Sequence, residues 1–368
     1  MRNPSAPGAP VLRPTAAVER LKQYQPPLGG RTGLRLDFNE NTAGCSPRVL
    51  ARLRSLTAED LSKYPEREPI EAAVAQWLGL EPAQVLLTNG VDEGIHLLAE
   101  TFLAPGSEAV IVVPTFSMYE IYAAATGAQV VRVQAGRDFE FPLARLVESI
   151  TRATRLIAIA NPNNPTGTVA TREALLSVAD AAPQAALLID EAYFDFFGES
   201  VADEINRRTN LFVARTFSKA YGMAGLRVGV LAGPAPLMMF LRRAASPYNV
   251  NGVALACLPE AIADQEYVSQ YVTAVRHGRA RLEAELRALG LRYWKSAGNF
   301  VLVRVGAARE AFVARMRQHG ILVRDRNNDP GCAGCVRITV GVGEQADTLI
   351  SALRAVMADL GDALEVFA

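Results

Sequence analysis

The feature that most constrains the fold is a series of seven short, largely apolar runs in the first two thirds of the chain. Stretches with helical spacing separate them, such as 70–78, where Ile70, Val74, Trp77 and Leu78 share one face. Strands that are apolar along their whole length are typical of a parallel sheet between two layers of helices. We therefore predict an α/β fold with a mostly parallel, seven-stranded sheet. Its strands are expected at 85–90, 109–114, 129–133, 155–160, 186–190, 211–214 and 227–231.

The length of the chain predicts more than one domain. At 368 residues and 39.6 kDa, a large domain with a smaller one beside it is the natural expectation. We predict an N-terminal arm at 1–44 that packs on the small domain, a large domain at 45–265 and a small α+β domain at 266–368. The small domain is expected to begin with a long amphipathic helix and to continue with strands and helices in alternation.

Composition and charge exclude several classes of partner. Lysine and arginine total 38, and aspartate and glutamate also total 38, so no overall field favours nucleic acid or an acidic membrane. No apolar run reaches the ~20 residues that a membrane-spanning helix needs. The first 14 residues lack the apolar core of a signal peptide. We therefore expect a cytoplasmic protein without nucleic-acid or membrane partners.

The four cysteines do not form the pattern of a disulfide framework. Cys45 and Cys257 are isolated, which predicts reduced packing residues. Cys332-Ala-Gly-Cys335 could be redox-active or half of a zinc site, but there is no second pair and no matching histidine spacing. We expect two reduced cysteines in a surface loop and no metal. The alternative is a reversible disulfide that strains the loop just before Arg337.

Three polar motifs follow the ends of predicted strands. Lys219 lies in Thr-Phe-Ser-Lys-Ala-Tyr-Gly after 211–214, Asp190 closes 186–190, and an Asn-Pro-Asn-Asn-Pro-Thr-Gly turn occupies 161–167. A buried carboxylate such as Asp190 needs a cationic partner. A lysine amine can form a Schiff base with pyridoxal phosphate (PLP), whose protonated ring nitrogen pairs with a carboxylate. Together the three motifs resemble the aminotransferase class I and II family of fold-type I PLP enzymes.

The resemblance implies a role around the PLP ring for five residues. Lys219 would hold the cofactor covalently and then transfer protons. Asp190 would pair with the ring nitrogen, and Tyr193 and Asn164 would hydrogen-bond the phenolic oxygen. Tyr119 would stack on the pyridine ring. Lys219, Asp190 and Tyr193 are the expected catalytic residues.

The resemblance also implies a phosphate site for the cofactor. A strand-to-helix turn supplies backbone N–H groups for a phosphate, and Gly90, Val91 and Asp92 form such a turn here. Ser218 and Arg227 match additional phosphate contacts of the family.

Tyr64, in Lys-Tyr-Pro, matches a family tyrosine that reaches the phosphate of the neighbouring subunit's cofactor. That match implies a homodimer whose subunits share their active sites.

Within the family, the chain is most similar to the histidinol-phosphate aminotransferase branch. The similarity rests on five motifs spread from 36 to 339: Leu-Asp-Phe-Asn-Glu-Asn, Pro-Tyr-Asn-Val-Asn, Ser-Ala-Gly-Asn-Phe, Val-Arg-Asp and Cys-Val-Arg-Ile-Thr. Arg337 interrupts an apolar strand pattern, and an inward arginine needs an anion. The resemblance implies that Tyr24, Arg324 and Arg337 bind the substrate's anionic groups, with Asn41 at the mouth of the site. The chain departs from the branch at 42–44, where it has Thr-Ala-Gly.

The resemblance implies transamination between histidinol phosphate and 2-oxoglutarate, in histidine biosynthesis. An aromatic amino-acid aminotransferase is the nearest alternative, and a PLP-dependent decarboxylase of a phosphorylated amino acid is another. A PLP-binding transcription regulator would need a DNA-binding module, for which the segment before Leu34 is too short.

Overall fold

The structure is a computed structural model that describes residues 12–25 and 29–361. The start of the predicted arm, residues 26–28 and the end of the predicted small domain lie outside the described residues. The described chain contains twelve β-strands. They are β1 (Leu34–Leu36), β2 (Val85–Thr88), β3 (Glu108–Val113), β4 (Gln129–Gln134), β5 (Thr154–Ala160), β6 (Ala186–Asp190), β7 (Leu211–Thr216), β8 (Gly229–Ala232), β9 (Arg292–Trp294), β10 (Phe300–Arg304), β11 (Ile321–Asp325) and β12 (Cys335–Thr339).

Fourteen α-helices connect and cover these strands within the described ranges. None of them is long and apolar enough to cross a membrane. They are α1 (Ala16–Glu19), α2 (Pro47–Arg54), α3 (Ala58–Ser62), α4 (Glu68–Leu78), α5 (Gly90–Phe102), α6 (Met118–Ala125), α7 (Leu143–Glu148), α8 (Arg172–Ala181), α9 (Phe194–Phe197), α10 (Ala235–Ala244), α11 (Gly252–Ala263), α12 (Gln265–Ala288), α13 (Arg309–Gln318) and α14 (Glu344–Leu360).

The larger sheet has seven strands in the order β2-β8-β7-β6-β5-β3-β4. Strand β8 runs antiparallel to β2 and β7, and every other neighbouring pair is parallel. The predicted α/β fold class with a mostly parallel seven-stranded sheet is therefore confirmed. Both faces of this sheet are apolar: Leu187 and Ile189 belong to one core cluster, and Leu188 between them belongs to the other. Burial on both faces is why the strands appear as continuous apolar runs in the sequence.

The last predicted strand of the large sheet begins later than expected. The sequence pattern places its start at Arg227, but β8 begins at Gly229. Arg227 has a left-handed backbone, with φ of 54°, which interrupts the extended conformation. This turn also brings the Arg227 side chain towards the start of helix α5.

The smaller sheet has five strands in the order β1-β11-β12-β10-β9. Strand β1 pairs in parallel with β11, and the other neighbours are antiparallel. The residues of β1 come from the segment predicted to be the arm, so that segment adds an edge strand to this sheet. Further towards the N-terminus, α1 contacts α6, which covers the large sheet. The N-terminal segment thus touches the elements around both sheets.

Candidate active site

A cavity of about 360 Å³ lies where the carboxyl ends of β5, β6 and β7 meet the arginines of β11 and β12. Open α/β sheets bind ligands at this edge, because the loops beyond parallel strands diverge there. Its lining comprises Tyr24, Arg31, Asp37, Phe38, Glu40, Val91, Asp92, Phe116, Ser117, Tyr119, Ala160, Pro162, Asn164, Asp190, Ala192, Tyr193, Thr216, Ser218, Lys219, Ala224, Arg227, Arg324, Arg326 and Arg337.

Asp190 is the last residue of β6 and is buried in the wall of the cavity. The hydroxyl of Tyr119 donates to its Oδ2 at 2.5 Å, and the backbone N–H of Ala192 donates to its Oδ1 at 3.0 Å. Burial raises the pKa of Asp190 to about 6, although both hydrogen bonds oppose that rise. The carboxylate is therefore prepared to pair with a cationic ligand atom.

Lys219 projects its amine into the same cavity. Its Nζ donates to the backbone carbonyl of Phe38 at 2.9 Å. Burial, followed by the nearby charge of Arg337, lowers the pKa of Lys219 to about 8, against a smaller opposing effect of Glu40. A lowered pKa increases the fraction of neutral amine near pH 7, and neutral amine is the nucleophile.

Tyr193 is held by a residue that the sequence analysis did not select, Asn39. The Asn39 amide Nδ2 donates to the Tyr193 hydroxyl oxygen at 2.8 Å, and its Oδ1 accepts from Thr339 Oγ1 at 3.2 Å. Because Tyr193 already accepts from Asn39, its own O–H proton is free to donate elsewhere. Burial raises the pKa of Tyr193, so the hydroxyl keeps that proton.

Arg337 lies on β12, is buried, and is bound to two acceptors. One Nη donates to Asn164 Oδ1 at 2.5 Å and the other donates to the Asp37 carbonyl at 2.8 Å. Burial and the charge of Arg326 lower the pKa of Arg337 to about 10. The bond from Arg337 engages the carbonyl oxygen of Asn164, which leaves the Asn164 NH₂ group as the available donor.

The opposite side of the cavity has the features of an anion site. Helix α5 begins at Gly90, whose φ is 75°, and Val91 and Asp92 bring its first turn into the lining. Arg227 Nη2 contacts Asp92 Oδ2 at 2.9 Å, and Ser218 is buried beside them. A helix N-terminus with an adjacent arginine and hydroxyl binds phosphate well.

Three predicted site residues lie outside this lining. Gly90 is present only through the backbone of the turn. Tyr64 is exposed and stacks on Tyr248, with ring centroids 4.3 Å apart. Asn41 donates to the Ala220 carbonyl and accepts from backbone N–H groups of its own loop. The structure therefore does not bring Asn41 to the pocket, because its amide is used to bind its own loop and the Ala220 carbonyl.

The cavity includes several charged residues that the sequence analysis did not select: Arg31, Asp37, Glu40 and Arg326. Arg31 contacts Asp37 at 2.8 Å and Glu40 at 3.1 Å. Strand periodicity could have found Arg326, because residues two apart on a strand face the same side and Arg324 was selected.

As expected, Cys332 and Cys335 are free thiols and Cys332 lies in a surface turn, but Cys335 is the first residue of β12. Both thiols are fully buried and free, in an apolar cluster that includes Trp294 and Phe139. A hydrogen bond between the two thiols lowers the pKa of Cys335 and raises that of Cys332. The turn packs against neighbouring strands, and this packing is not visible in the spacing of the cysteines.

Comparison with known proteins identifies relatives of the whole chain. The model of the family "Aminotransferase class I and II" matches residues 31–353. The chain is 37% identical to a histidinol-phosphate aminotransferase of Roseiflexus castenholzii, over 94% of this chain and 98% of that protein. It is 33% identical to a histidinol-phosphate aminotransferase of Moorella thermoacetica, over 94% of this chain and 91% of that protein.

A solved structure with the same architecture supports these matches. The histidinol-phosphate aminotransferase of Sinorhizobium meliloti, solved in complex with pyridoxal-5'-phosphate, superposes with a TM-score of 0.87 at 27% identity. The match covers 96% of this chain and 100% of that one. The predicted family is confirmed: the chain belongs to the aminotransferase class I and II family.

Proposed function

We propose that this chain is a PLP-dependent aminotransferase that transfers the amino group of L-histidinol phosphate to 2-oxoglutarate. The products are imidazole acetol phosphate and glutamate, in histidine biosynthesis. The observation that carries the proposal is one cavity that combines Lys219 and Asp190 with two groups of residues suited to anions, Ser218 and Arg227 beside the start of α5 and the arginines of β11 and β12. The names of the relatives at 33–37% identity support the choice of substrate.

The residues present fit PLP. Asp190 is a buried carboxylate that lacks a cationic partner in its hydrogen bonds, which the protonated ring nitrogen would provide. The first turn of α5, with Arg227 and Ser218, fits the phosphate, and Lys219 lines the same cavity. When bound, PLP supplies an electron-withdrawing ring that stabilises negative charge at the substrate α-carbon.

The protein's own contribution to the reaction is to hold the cofactor and move protons. Lys219 Nζ would hold the cofactor, would take the proton from the substrate Cα as a base and would give it back as an acid. Asp190 would keep the ring nitrogen protonated. The free O–H of Tyr193 and the NH₂ group of Asn164 would donate to the phenolic oxygen. Tyr119 holds the Asp190 carboxylate through its hydroxyl and would cover the ring.

The remaining proposed contacts involve two phosphates. Val91 and Asp92 offer backbone N–H groups to the cofactor phosphate, where Gly90 permits the turn. At the other end, Tyr24, Arg324 and Arg337 bind the substrate's anionic groups. The Arg324 Nη2 donates to the Tyr24 hydroxyl at 3.3 Å, so the N-terminal segment reaches the substrate end of the cavity.

The proposed assembly is a homodimer with shared active sites. Tyr64 is 77% exposed and lies outside its own cavity, as expected of a residue that serves the partner's cofactor phosphate. The proposed domains are the arm at 1–44, the large domain at 45–265 and the small domain at 266–368. Four free cysteines fit a reducing compartment, which supports a cytoplasmic location.

A single-turnover absorbance experiment tests the proposed reaction. PLP-loaded protein is mixed separately with L-histidinol phosphate, L-phenylalanine and L-glutamate, and the absorbance band of the bound cofactor is followed. We expect rapid loss of the band with histidinol phosphate and glutamate and much slower loss with phenylalanine. Faster reaction with phenylalanine would assign the protein to aromatic amino-acid transamination. Release of carbon dioxide from a phosphorylated amino acid would indicate a decarboxylase.

A further inference from the structure

Three arginines of the cavity carry buried guanidinium nitrogens without a hydrogen-bond partner among the described residues. The atoms are Arg324 Nη1, Arg326 Nε and Arg337 Nε, and all three side chains line the cavity. A buried charged N–H group without an acceptor is costly, so native structures rarely leave one unmatched. Three such groups in one cavity indicate a ligand that offers several anionic oxygens.

The strand register explains why the three arginine side chains lie on the same face of the smaller sheet. In the antiparallel pair β11–β12, Arg324 lies directly opposite Arg337. Arg326 follows Arg324 by two residues, and its backbone N–H continues the ladder by donating to the Cys335 carbonyl at 3.0 Å. Residues two apart, and residues directly opposite each other, share a face of the sheet. The backbone therefore directs all three guanidinium groups to the same side.

The charges of the cavity are not balanced by its own carboxylates. Within the described residues, six cationic and four anionic side chains contribute to the lining. Three of the carboxylates are engaged by other arginines: Asp37 and Glu40 contact Arg31, and Asp92 contacts Arg227. The excess positive charge is thus concentrated at the end formed by β11 and β12.

Among the described residues, Arg326 has one carboxylate contact, and that contact does not use its Nε. Its guanidinium forms an ion pair with Asp329, three residues further along the same turn. The Asp329 Oδ2 that makes this contact lacks a well-directed hydrogen bond, and burial raises the pKa of Asp329. This contact leaves the Nε of Arg326 without an acceptor. The ion pair with Asp329 therefore holds Arg326 at the cavity and leaves the Nε–H of Arg326 available to a ligand.

We infer that Arg326 is a third anion-binding arginine of the substrate site and selects substrates whose far end carries a phosphate. A carboxylate has two oxygens and one charge, which two arginines can satisfy. A phosphate monoester has three free oxygens and nearly two charges near pH 7, so a third guanidinium gains much more from it. The inference rests on the proposed function and adds a residue that distinguishes phosphorylated from carboxylate substrates.

The test uses Arg326→Gln in the PLP-loaded enzyme, with the half-reaction followed by absorbance against substrate concentration. For L-histidinol phosphate, the half-saturating concentration should rise about ten- to one-hundred-fold, as expected for loss of a charge-assisted hydrogen bond. The limiting rate should stay almost unchanged, because Arg326 does not touch the reacting atoms. The effect should be smaller with glutamate and absent with phenylalanine. An equal loss for phenylalanine would overturn the inference, since it would indicate general damage to the pocket.

Two further variants separate ligand binding from a structural role. Asp329→Asn removes the ion pair but keeps the Arg326 charge, so affinity for histidinol phosphate should stay the same or increase. If Asp329→Asn reproduces the loss seen with Arg326→Gln, the arginine is only a partner for Asp329 and the inference fails. Arg326→Lys retains the charge without the planar fork and should recover part of the affinity.

Arg315→Gln is the matched control. Arg315 lies on α13 and pairs with Asp359, away from the cavity, so this substitution should leave all three substrates unaffected. If wild-type enzyme shows no preference for histidinol phosphate, the proposed function fails separately. In that case, inorganic phosphate is added as a competitor in the glutamate half-reaction of the wild type and of Arg326→Gln. The inhibition constant for phosphate should be about tenfold higher in Arg326→Gln. Equal inhibition constants in the two proteins would overturn the inference.

Discussion

At the scale of single residues, the site contains a carboxylate and an amine whose pKa values are shifted in opposite directions by burial. The pKa of Asp190 is raised to about 6, and the pKa of Lys219 is lowered to about 8. In both cases burial penalises the charged form. The two residues therefore destabilise the cofactor-free protein near neutral pH. Both residues are also expected to contact the cofactor, so binding should remove most of this cost.

Asp190→Asn should stabilise the cofactor-free protein and weaken PLP binding. A folded pKa of about 6 lies above the ordinary value of 3.8, so the stability that Asp190 contributes at low pH is lost as pH rises from about 4 to about 6. Asparagine has no charge to bury, so the variant avoids this loss of unfolding free energy, which is worth roughly 3 kcal/mol at pH 7. Urea unfolding of the cofactor-free proteins between pH 4 and pH 7 measures the difference, which should grow with pH.

Asp195→Asn provides the control for this prediction. Asp195 is a half-buried carboxylate whose pKa desolvation likewise raises to about 6, but it does not line the cavity. The control should therefore leave PLP affinity unchanged. Equal loss of PLP affinity in both variants, or a less stable Asp190→Asn protein, would contradict this account of Asp190.

Lys219 should react with an acylating reagent at lower pH than an exposed lysine. Its amine loses its proton near pH 8, because burial and Arg337 disfavour the charge. Competitive acetylation of the cofactor-free protein, followed by peptide mass spectrometry across pH 6 to 11, measures the titration of each lysine. Lys63, whose ammonium is exposed beside Glu59, serves as the comparison within the same sample. Identical titration of the two lysines would contradict the lowered pKa.

At the scale of secondary-structure elements, the proposed phosphate site of the cofactor depends on how closely β8 approaches the start of α5. Gly229 lies against this turn, and a Cβ there would stand 2.8 Å from both the Gly90 carbonyl carbon and the Val91 nitrogen. Backbone atoms at that distance must move apart. The absence of a side chain at Gly229 is therefore what allows the helix N-terminus to reach its position.

Gly229→Ala should weaken binding of PLP more than binding of pyridoxal, which lacks the phosphate. The substitution displaces the turn that carries Val91, so the loss falls on the phosphate contacts. Equilibrium titration of the cofactor-free protein with each compound gives the two affinities. Gly94→Ala in the same helix is the control, because its Cβ would meet Leu231 Cβ at an ordinary 3.5 Å. An equal loss for PLP and pyridoxal would contradict this role of the turn.

The elements also show what the sequence could and could not predict. Strands such as β6 were predictable because burial on both faces leaves a continuous apolar run. The start of β8 was not, since it depends on the left-handed backbone of Arg227. In the Asn-Glu-Asn motif, the left-handed Asn39 contacts Tyr193, while the Asn41 amide donates to the Ala220 carbonyl. Spacing alone cannot distinguish the two asparagines.

At the scale of the whole molecule, the family match and the two sheets agree with the predicted family and fold class. The shared active site remains a proposal that subunit exchange can test. Lys219→Ala and Tyr64→Ala should each be nearly inactive as pure proteins. Mixed dimers should recover activity, because one of their two sites has both Lys219 and a partner's Tyr64. Exchange by mild denaturation and refolding, followed by assay, measures the recovery.

Two outcomes of the exchange experiment would contradict the shared site. Full activity of pure Tyr64→Ala would show that the tyrosine does not contribute to either site. Exchange without any recovery, with mixed dimers confirmed by mass spectrometry, would show that Tyr64 and Lys219 do not act across the interface. Refolded wild-type protein is the control for losses during the procedure.

Lys219 is the residue proposed to hold PLP in the cavity that Asp190 and the start of α5 also line. Reduction of the PLP-loaded protein with borohydride fixes the cofactor to the amine that carries it, and peptide mass mapping then identifies that amine. We predict the cofactor mass on the peptide containing Lys219 and its loss in Lys219→Ala. Cofactor on Lys63 or Lys295 instead, or no cofactor on any lysine, would contradict this role of Lys219.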